Sequence, residues 1–262
     1  MIFSFLTLFP QLIESYFQDS ILKNARQKGL ITIQTIQLRN FALNAYKSVD
    51  APQIGGGAGQ VLNAQVIDQA LQWLCNHTTP ITLKTNSIDF SSTKESNNRT
   101  SSASFAKRPH IIFLTPSAKR FTQNDSIRLA KKNHIAFVCG RYEGIDERAI
   151  EMWADEVLCI GDFIITGGEL GALCLCDSIS RQIPGVLGNT QSLQGESFEN
   201  SLLEAPIFAR TNILNPKFAK FIPPSEYSKG NHSRIAGLKN HLALCKTRYF
   251  RPDLFERWKT IH

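Results

Sequence analysis

The chain predicts an α/β fold: a mostly parallel sheet whose strands alternate with helices, followed by a small, mainly helical C-terminal domain. Three observations predict it. Short apolar runs such as "HIIFLTP", "HIAFVCG" and "DEVLCIG" alternate with stretches of helical spacing, as strands buried on both faces of a sheet do. The alternation stops after "IPGVLG", where a polar loop intervenes near residues 188–195. Beyond that loop the chain turns basic. Residues 206–262 hold eleven Lys/Arg against three Asp/Glu, leaving 18 against 19 for the rest of a 262-residue chain with 29 basic and 22 acidic residues.

Taken in order, Ile2, Phe3, Phe5, Leu6 and Leu8 predict a buried strand, and a helix is expected over residues 10–28 with Gly29 as its stop. The apolar opening "MIFSFLTLF" lacks the features of a signal peptide, with no basic residue before Lys23 and no small-residue cleavage site. "LITIQTIQL" is short and β-rich. In "QVIDQALQWLCN", Val66, Ile67, Ala70, Leu71 and Leu74 make one helical face. Thirteen of the twenty residues at 85–104 are Ser, Thr or Asn, which cannot supply a core, so 84–108 is expected to be a disordered insertion. Then come the strand "HIIFLTP", a helix over 122–132, the strand "HIAFVCG", a helix at "IDERAIEMW", the strand "DEVLCIG", the segment "DFIIT" and a helix over 168–181. The expected domains are an α/β domain at 1–187, a linker at 188–195 and a basic helical domain at 196–262.

Composition narrows the function. The six cysteines form no CxxC pair and most lie inside apolar runs, as free thiols do in a reducing compartment; zinc-site spacings are absent. No run reaches membrane-spanning length, so a cytoplasmic protein without a membrane partner and without a bound metal is expected. The C-terminal basic excess is interleaved with aromatics in "KTRYFRPDLFERWK". That suits a polyanion, nucleic acid ahead of membrane. Charge alone supports a solvated, lysine-biased helical surface equally well.

Three strands lead into loops of one character: "FLTP" (113–116), "CGRYEGIDER" (139–148) and "IGDFIITGGE" (160–169). Open α/β sheets bind ligands beyond the carboxyl ends of their strands, and glycine there lets backbone approach the ligand closely. Any one of these glycines is explained by a turn; three such loops in one sheet predict a site. "GGGAGQ" (55–60) fits neither dinucleotide nor P-loop spacing. It is expected to pass its backbone close to something bulky.

Together "LFP", "GGGAG", "CGRYEGIDER", "IGDFIITGGELGAL", "DSISRQIPGVLG", "ESF" and "GNHSRI" resemble, in content and order, the bacterial tRNA (guanine-N1)-methyltransferases of the SPOUT superfamily. The resemblance covers nearly the whole chain apart from the Ser/Thr/Asn-rich segment. It implies a deep trefoil knot in the α/β domain, a homodimer with active sites at the interface, and S-adenosyl-L-methionine as methyl donor. The implied reaction methylates N1 of guanosine at tRNA position 37, next to the anticodon. A non-catalytic or differently targeted knotted tRNA-binding protein is the alternative. By the same resemblance the cofactor falls on Phe113, Leu114, Thr115 and Pro116, on Gly140 and Tyr142, and on Ile160, Gly161, Asp162, Phe163, Ile164, Ile165, Gly167 and Gly168. Phe163 stands where the family often has tyrosine.

Removing the N1 proton requires a base, and a carboxylate suffices only if negative charge developing on guanine is stabilised. The resemblance gives these parts to Glu196, where the family usually has aspartate, and to Arg181. Read locally, Glu196 also suits the start of a helix, where a carboxylate meets unpaired N–H groups. Glu143 is expected to shape the cofactor site or a metal-assisted step, leaving a magnesium dependence open. Arg234, Lys239, Lys246, Arg248 and Arg251 are expected to grip tRNA phosphates, with Asp50 and Gly59 near the tRNA entry side.

Overall fold

The structure, a computed structural model, describes residues 1–77, 108–189, 193, 195–198, 200–209 and 222–261. Of the expected insertion only Arg108 is among them. The chain divides into two compact units, Met1–Gly188 and Asn189–His262.

The first unit is built on a five-stranded sheet in the order β2-β1-β6-β5-β7, every pairing parallel. Its strands are β1 (Ile2–Thr7), β2 (Thr32–Gln37), β5 (His110–Arg120), β6 (His134–Cys139) and β7 (Glu156–Cys159). A separate antiparallel hairpin joins β3 (Asp50–Pro52) to β4 (Gln60–Leu62). All six residues of β6 are buried, which is why its sequence reads as one apolar run. The pleat sends alternate residues to opposite faces. Ile112 and Leu114 pack with Ile135 and Phe137 on one face, while Ile111 and Phe113 pack with Ala136 and Val138 on the other.

Helices cover both faces. On the first lie α1 (Pro10–Tyr16), α2 (Ser20–Gln27) and α6 (Gly168–Arg181), contributing Ile13, Leu22, Leu175 and Ile179. On the second lies α3 (Ala64–Asn76), and all five residues of its expected apolar face are buried. The helices α4 (Gln123–Leu129) and α5 (Glu147–Trp153) follow β5 and β6. A capping box starts α4: Thr122 accepts from the Asp125 N–H while the Asp125 carboxylate accepts from the Thr122 N–H.

Two expectations change. The single helix over 10–28 is two, because Asp19 adopts an extended backbone and its carboxylate caps α2 by accepting from the Ser20 N–H at 2.7 Å. The "FLTP" segment does not end its strand either. β5 pairs with β7 through Leu114, loses register over the next four residues, and pairs again from Lys119, so residues 115–118 form a bulge within a continuing strand.

In the second unit α7 (His232–Phe250) is followed by α8 (Pro252–Ile261). Within α7 only Ala243 and Thr247 are buried. The Thr247 hydroxyl donates to the Ala243 carbonyl at 2.7 Å and accepts from the Leu203 N–H at 2.8 Å, tying the preceding segment to the helix. Among the described residues no helix is long and apolar enough to cross a membrane.

Candidate active site

The three loops meet. The β5 bulge, the turn after β6 and the segment between β7 and α6 line a cavity of about 590 Å³ at the carboxyl ends of β6 and β7 and beside the interruption in β5 between them. That volume suits a small organic ligand. Leu114, Thr115 and Pro116 line it from the bulge, and Gly140, Tyr142 and Glu143 from the second loop. Ile160, Gly161, Phe163, Ile164, Ile165, Gly167 and Gly168 line it from the third.

Two of the residues expected there do not. Phe113 is fully buried on the opposite sheet face, because the pleat that turns Leu114 toward the cavity turns its neighbour away. Asp162 points to solvent with its side chain 75% exposed, 3.5 Å from the Arg120 guanidinium. Conversely Ser117, Arg141, Ile145, Glu147, Leu158 and Thr166 line the cavity although the sequence did not single them out. Arg141 and Thr166 sit inside the glycine-containing motifs; no spacing rule separates them from their neighbours there.

Glycine is required where segments close on one another. A Cβ on Gly168 would lie 2.8 Å from the Gly140 nitrogen and 2.9 Å from Cys139 Cα. The Gly168 N–H donates to the Gly140 carbonyl at 2.8 Å, joining the start of α6 to the end of β6. The "GGGAG" loop makes the expected close passage, and the bulky neighbour is Glu143: a Cβ on Gly59, whose φ is +83°, would lie 2.5 Å from its Cγ. The Glu143 N–H donates to the Gln60 carbonyl at 3.0 Å, so the β3–β4 hairpin backs the cavity wall. Asp50 opposes Leu62 in that hairpin.

Arg181 does not line the cavity. It is the last residue of the fourteen-residue α6, whose first residue, Gly168, does. At 1.5 Å per residue the two Cα atoms are about 20 Å apart.

Within the second unit a cavity of about 390 Å³ brings Glu196 together with Glu204, Lys239 and Asn240. Glu196 has no regular structure, lying between turns at Gly195 and at Ser197 and Phe198, and it does not start a helix. Gly195, Phe198 and Ser201 all have left-handed backbones, with φ of +71°, +78° and +59°, which break any helix there. Of the basic residues, Lys239 and Lys246 are seven apart on α7 and share one face, while Arg234 and Arg248 share another. Arg251 is held by Asp253 through two hydrogen bonds of 2.8 and 2.7 Å. Among the described residues no group of three or more His, Cys, Asp or Glu could hold a metal ion.

A parallel α/β sheet with a glycine-walled cavity at the ends of β6 and β7 and the β5 bulge defines a ligand-binding α/β domain, here joined to a basic helical unit. The tRNA (Guanine-1)-methyltransferase TrmD family matches residues 1–257, and the chain belongs to that family. It is 55% identical over 261 residues to the tRNA (guanine-N(1)-)-methyltransferase of Helicobacter hepaticus, covering 100% of this chain and 95% of that protein. The protein of that name from Wolinella succinogenes is 52% identical, with 99% and 96% covered. The one from Helicobacter pylori is 48% identical, with 99% and 100% covered.

Proposed function

We propose that the chain transfers a methyl group from S-adenosyl-L-methionine to N1 of guanosine at tRNA position 37. The observation that carries this reading is the convergence of twelve of the fourteen residues assigned to the cofactor by resemblance on one cavity. The cavity suits the donor: apolar side chains from Leu114, Ile145 and Ile165 stand beside backbone freed by Gly140, Gly161 and Gly167. The donor supplies an electrophilic methyl on a charged sulfonium. A cavity that excludes water favours the loss of that charge on transfer.

Glu196 takes the N1 proton and Arg181 stabilises the negative charge on guanine O6. Glu143, pressed against Gly59, shapes the cavity mouth. Glutamate reaches about 1.5 Å farther than aspartate, and the left-handed Gly195 lets the backbone sit back to compensate. Glu143 and Glu147 are the carboxylates that line the cavity, and a magnesium dependence would rest on them and on RNA phosphates rather than on a resident metal.

The working form in this reading is a homodimer with a knotted α/β domain at 1–187 and a basic tRNA-binding domain at 196–262. Phe9, Leu12 and Tyr16 of the α1 segment and Leu170 of α6 leave a neighbouring apolar face between 44% and 58% exposed, which a second copy would cover. The distance of Arg181 from its own cavity supports a site completed by that copy. The close backbone approach at Gly168 supports a knotted chain path there.

The test is methyl transfer by wild type, Glu196→Ala and Glu196→Asp to tRNA carrying or lacking guanosine 37. Loss of activity in the alanine variant, with transfer confined to tRNA carrying the guanosine, is expected. Near-normal turnover by Glu196→Ala at saturating substrates would remove Glu196 from the role of base. Equal transfer to both tRNAs would refute the target.

A further inference from the structure

An ion pair runs from the cavity wall at Arg141 to the buried Glu169, and the chemistry above does not use it. Glu169, in the first turn of α6, is 2% exposed. Its Oε1 accepts from the Thr7 hydroxyl at 2.7 Å and its Oε2 from Arg141 Nε at 2.8 Å. Arg141 Nη1 donates to the Thr166 carbonyl at 3.1 Å, and the guanidinium lies 4.5 Å above the Phe9 ring. The Thr7 hydroxyl in turn accepts from the Phe9 N–H at 2.9 Å. The end of β1, the loops after β6 and β7, and the start of α6 therefore meet at one carboxylate. Gly167 makes the room, since a Cβ there would lie 2.2 Å from Arg141 Nε.

We infer that Arg141 is a positioning residue that sets the shape of the cofactor cavity, an inference that rests on reading that cavity as the S-adenosylmethionine site. The third loop is a weakly held wall: Phe163 and Ile164 are 55% and 79% exposed. Arg141 fastens its far end at Thr166 while neutralising Glu169, and the planar guanidinium does both at once because its N–H groups diverge in a fixed fork. Lysine keeps the charge but presents a single nitrogen to two acceptors. Removing the cation altogether leaves Glu169 buried without its partner and frees the wall.

The test uses the full-length protein. S-adenosylhomocysteine, an unreactive probe, is titrated by calorimetry into wild type, Arg141→Lys, Arg141→Met and Thr7→Val, and turnover is measured at saturating S-adenosylmethionine. Arg141→Met is expected to bind roughly tenfold to a hundredfold more weakly, the range for losing hydrogen bonds to a charged group. Arg141→Lys and Thr7→Val fall between it and wild type, and the loss is larger in probe affinity and in KM for S-adenosylmethionine than in kcat. Adding Glu169→Gln to Arg141→Met restores part of the affinity by removing the stranded charge. If Arg141→Met does not fold, Arg141→Lys and Thr7→Val carry the test. Wild-type affinity in the Arg141 and Thr7 variants overturns the inference, as does a loss confined to kcat. Failure of wild type itself to bind the probe overturns the assignment of the cavity instead.

Discussion

Adding one methyl group to α6 separates two readings of its glycines. In Gly168→Ala the three atoms nearest the new Cβ are all backbone: the Gly140 nitrogen at 2.8 Å, Cys139 Cα at 2.9 Å and the Cys139 carbonyl carbon at 3.1 Å. Contact is comfortable near ~3.5 Å, so the start of α6 and the end of β6 must part by roughly 0.6 Å. The 2.8 Å hydrogen bond between Gly168 and Gly140 then stretches to the edge of useful geometry. Overpacking costs about 1–3 kcal/mol and the weakened bond about 1 kcal/mol. A domain of this size should melt lower by roughly 5–10 °C. The same displacement moves two cavity walls, and cofactor binding should weaken on the order of tenfold, given that about 1 Å of misplacement costs about a hundredfold in rate. Gly171→Ala is the control. It lies one turn further on, also lines the cavity, and its Cβ would meet Leu114 Cδ1 at 3.6 Å and Ile160 Cγ2 at 3.7 Å. Its helical position gains up to about 1 kcal/mol from alanine. Thermal melts and cofactor titrations of the two variants decide the matter; matching behaviour would refute the argument that close backbone passage at Gly168 builds the site.

If each site takes its cavity from one copy and Arg181 from the other, co-refolding equal amounts of Gly168→Ala and Arg181→Ala proteins restores activity to about a quarter of wild type, since half the dimers are mixed and each holds one intact site. No recovery above the separate variants would place both groups in one chain. His134, buried and 2.8 Å from the Ser4 hydroxyl, has its imidazole pushed down to about 4 by burial. The unfolded chain then holds a proton the folded one lacks, so stability falls as pH drops from about 6.5 to about 4, by roughly 3 kcal/mol. In Asp125, burial pushes the carboxyl up but Lys119, Thr122 and Arg128 outweigh it and hold it down to about 2, so its contribution is lost only below about 4. Denaturation of His134→Gln should show the higher window flattened and the lower one intact. Removing Arg234, Lys239, Lys246 or Arg248 singly should reduce the salt slope of tRNA binding by about 0.7–0.9 for each phosphate no longer neutralised. Arg251→Ala should change it less, because Asp253 already holds that guanidinium; an equal effect would show that RNA displaces the carboxylate.

Features that depend on near neighbours in sequence were legible. The α3 face follows from helical spacing alone, and every one of its five residues is buried. β6 announces itself because burial on both faces demands an unbroken apolar run. The glycine loops pointed to a cavity because close backbone passage has a residue requirement that side chains cannot counterfeit. What escaped was decided across the fold. Nothing near Thr7 in sequence says that its hydroxyl will meet Glu169, 162 positions away. The β5 bulge depends on how β7 pairs from the other side, and a strand-length argument has no access to that. The break at Asp19 was available in principle, since "QDS" offers a capping carboxylate, but the apolar periodicity around it masked the interruption.

The helix α6 shows why a site can be half legible. Its first turn needs Gly168 for close packing and Glu169 for the ion pair, so this end is written in residue types that have few substitutes. Its last residue, Arg181, is an arginine at a helix C-terminus, where a cation is favoured electrostatically whatever its function. Local chemistry therefore hides the catalytic role proposed for one end of the helix and exposes a structural one at the other. The roughly 20 Å between the ends, at about 1.5 Å per residue, argues against both serving one cavity within one copy. A second copy related by a two-fold axis removes the conflict, because each helix can then build its own cavity with one end and reach the partner's with the other. On that arrangement the exposed apolar face beside α6 and the distant arginine have a single cause.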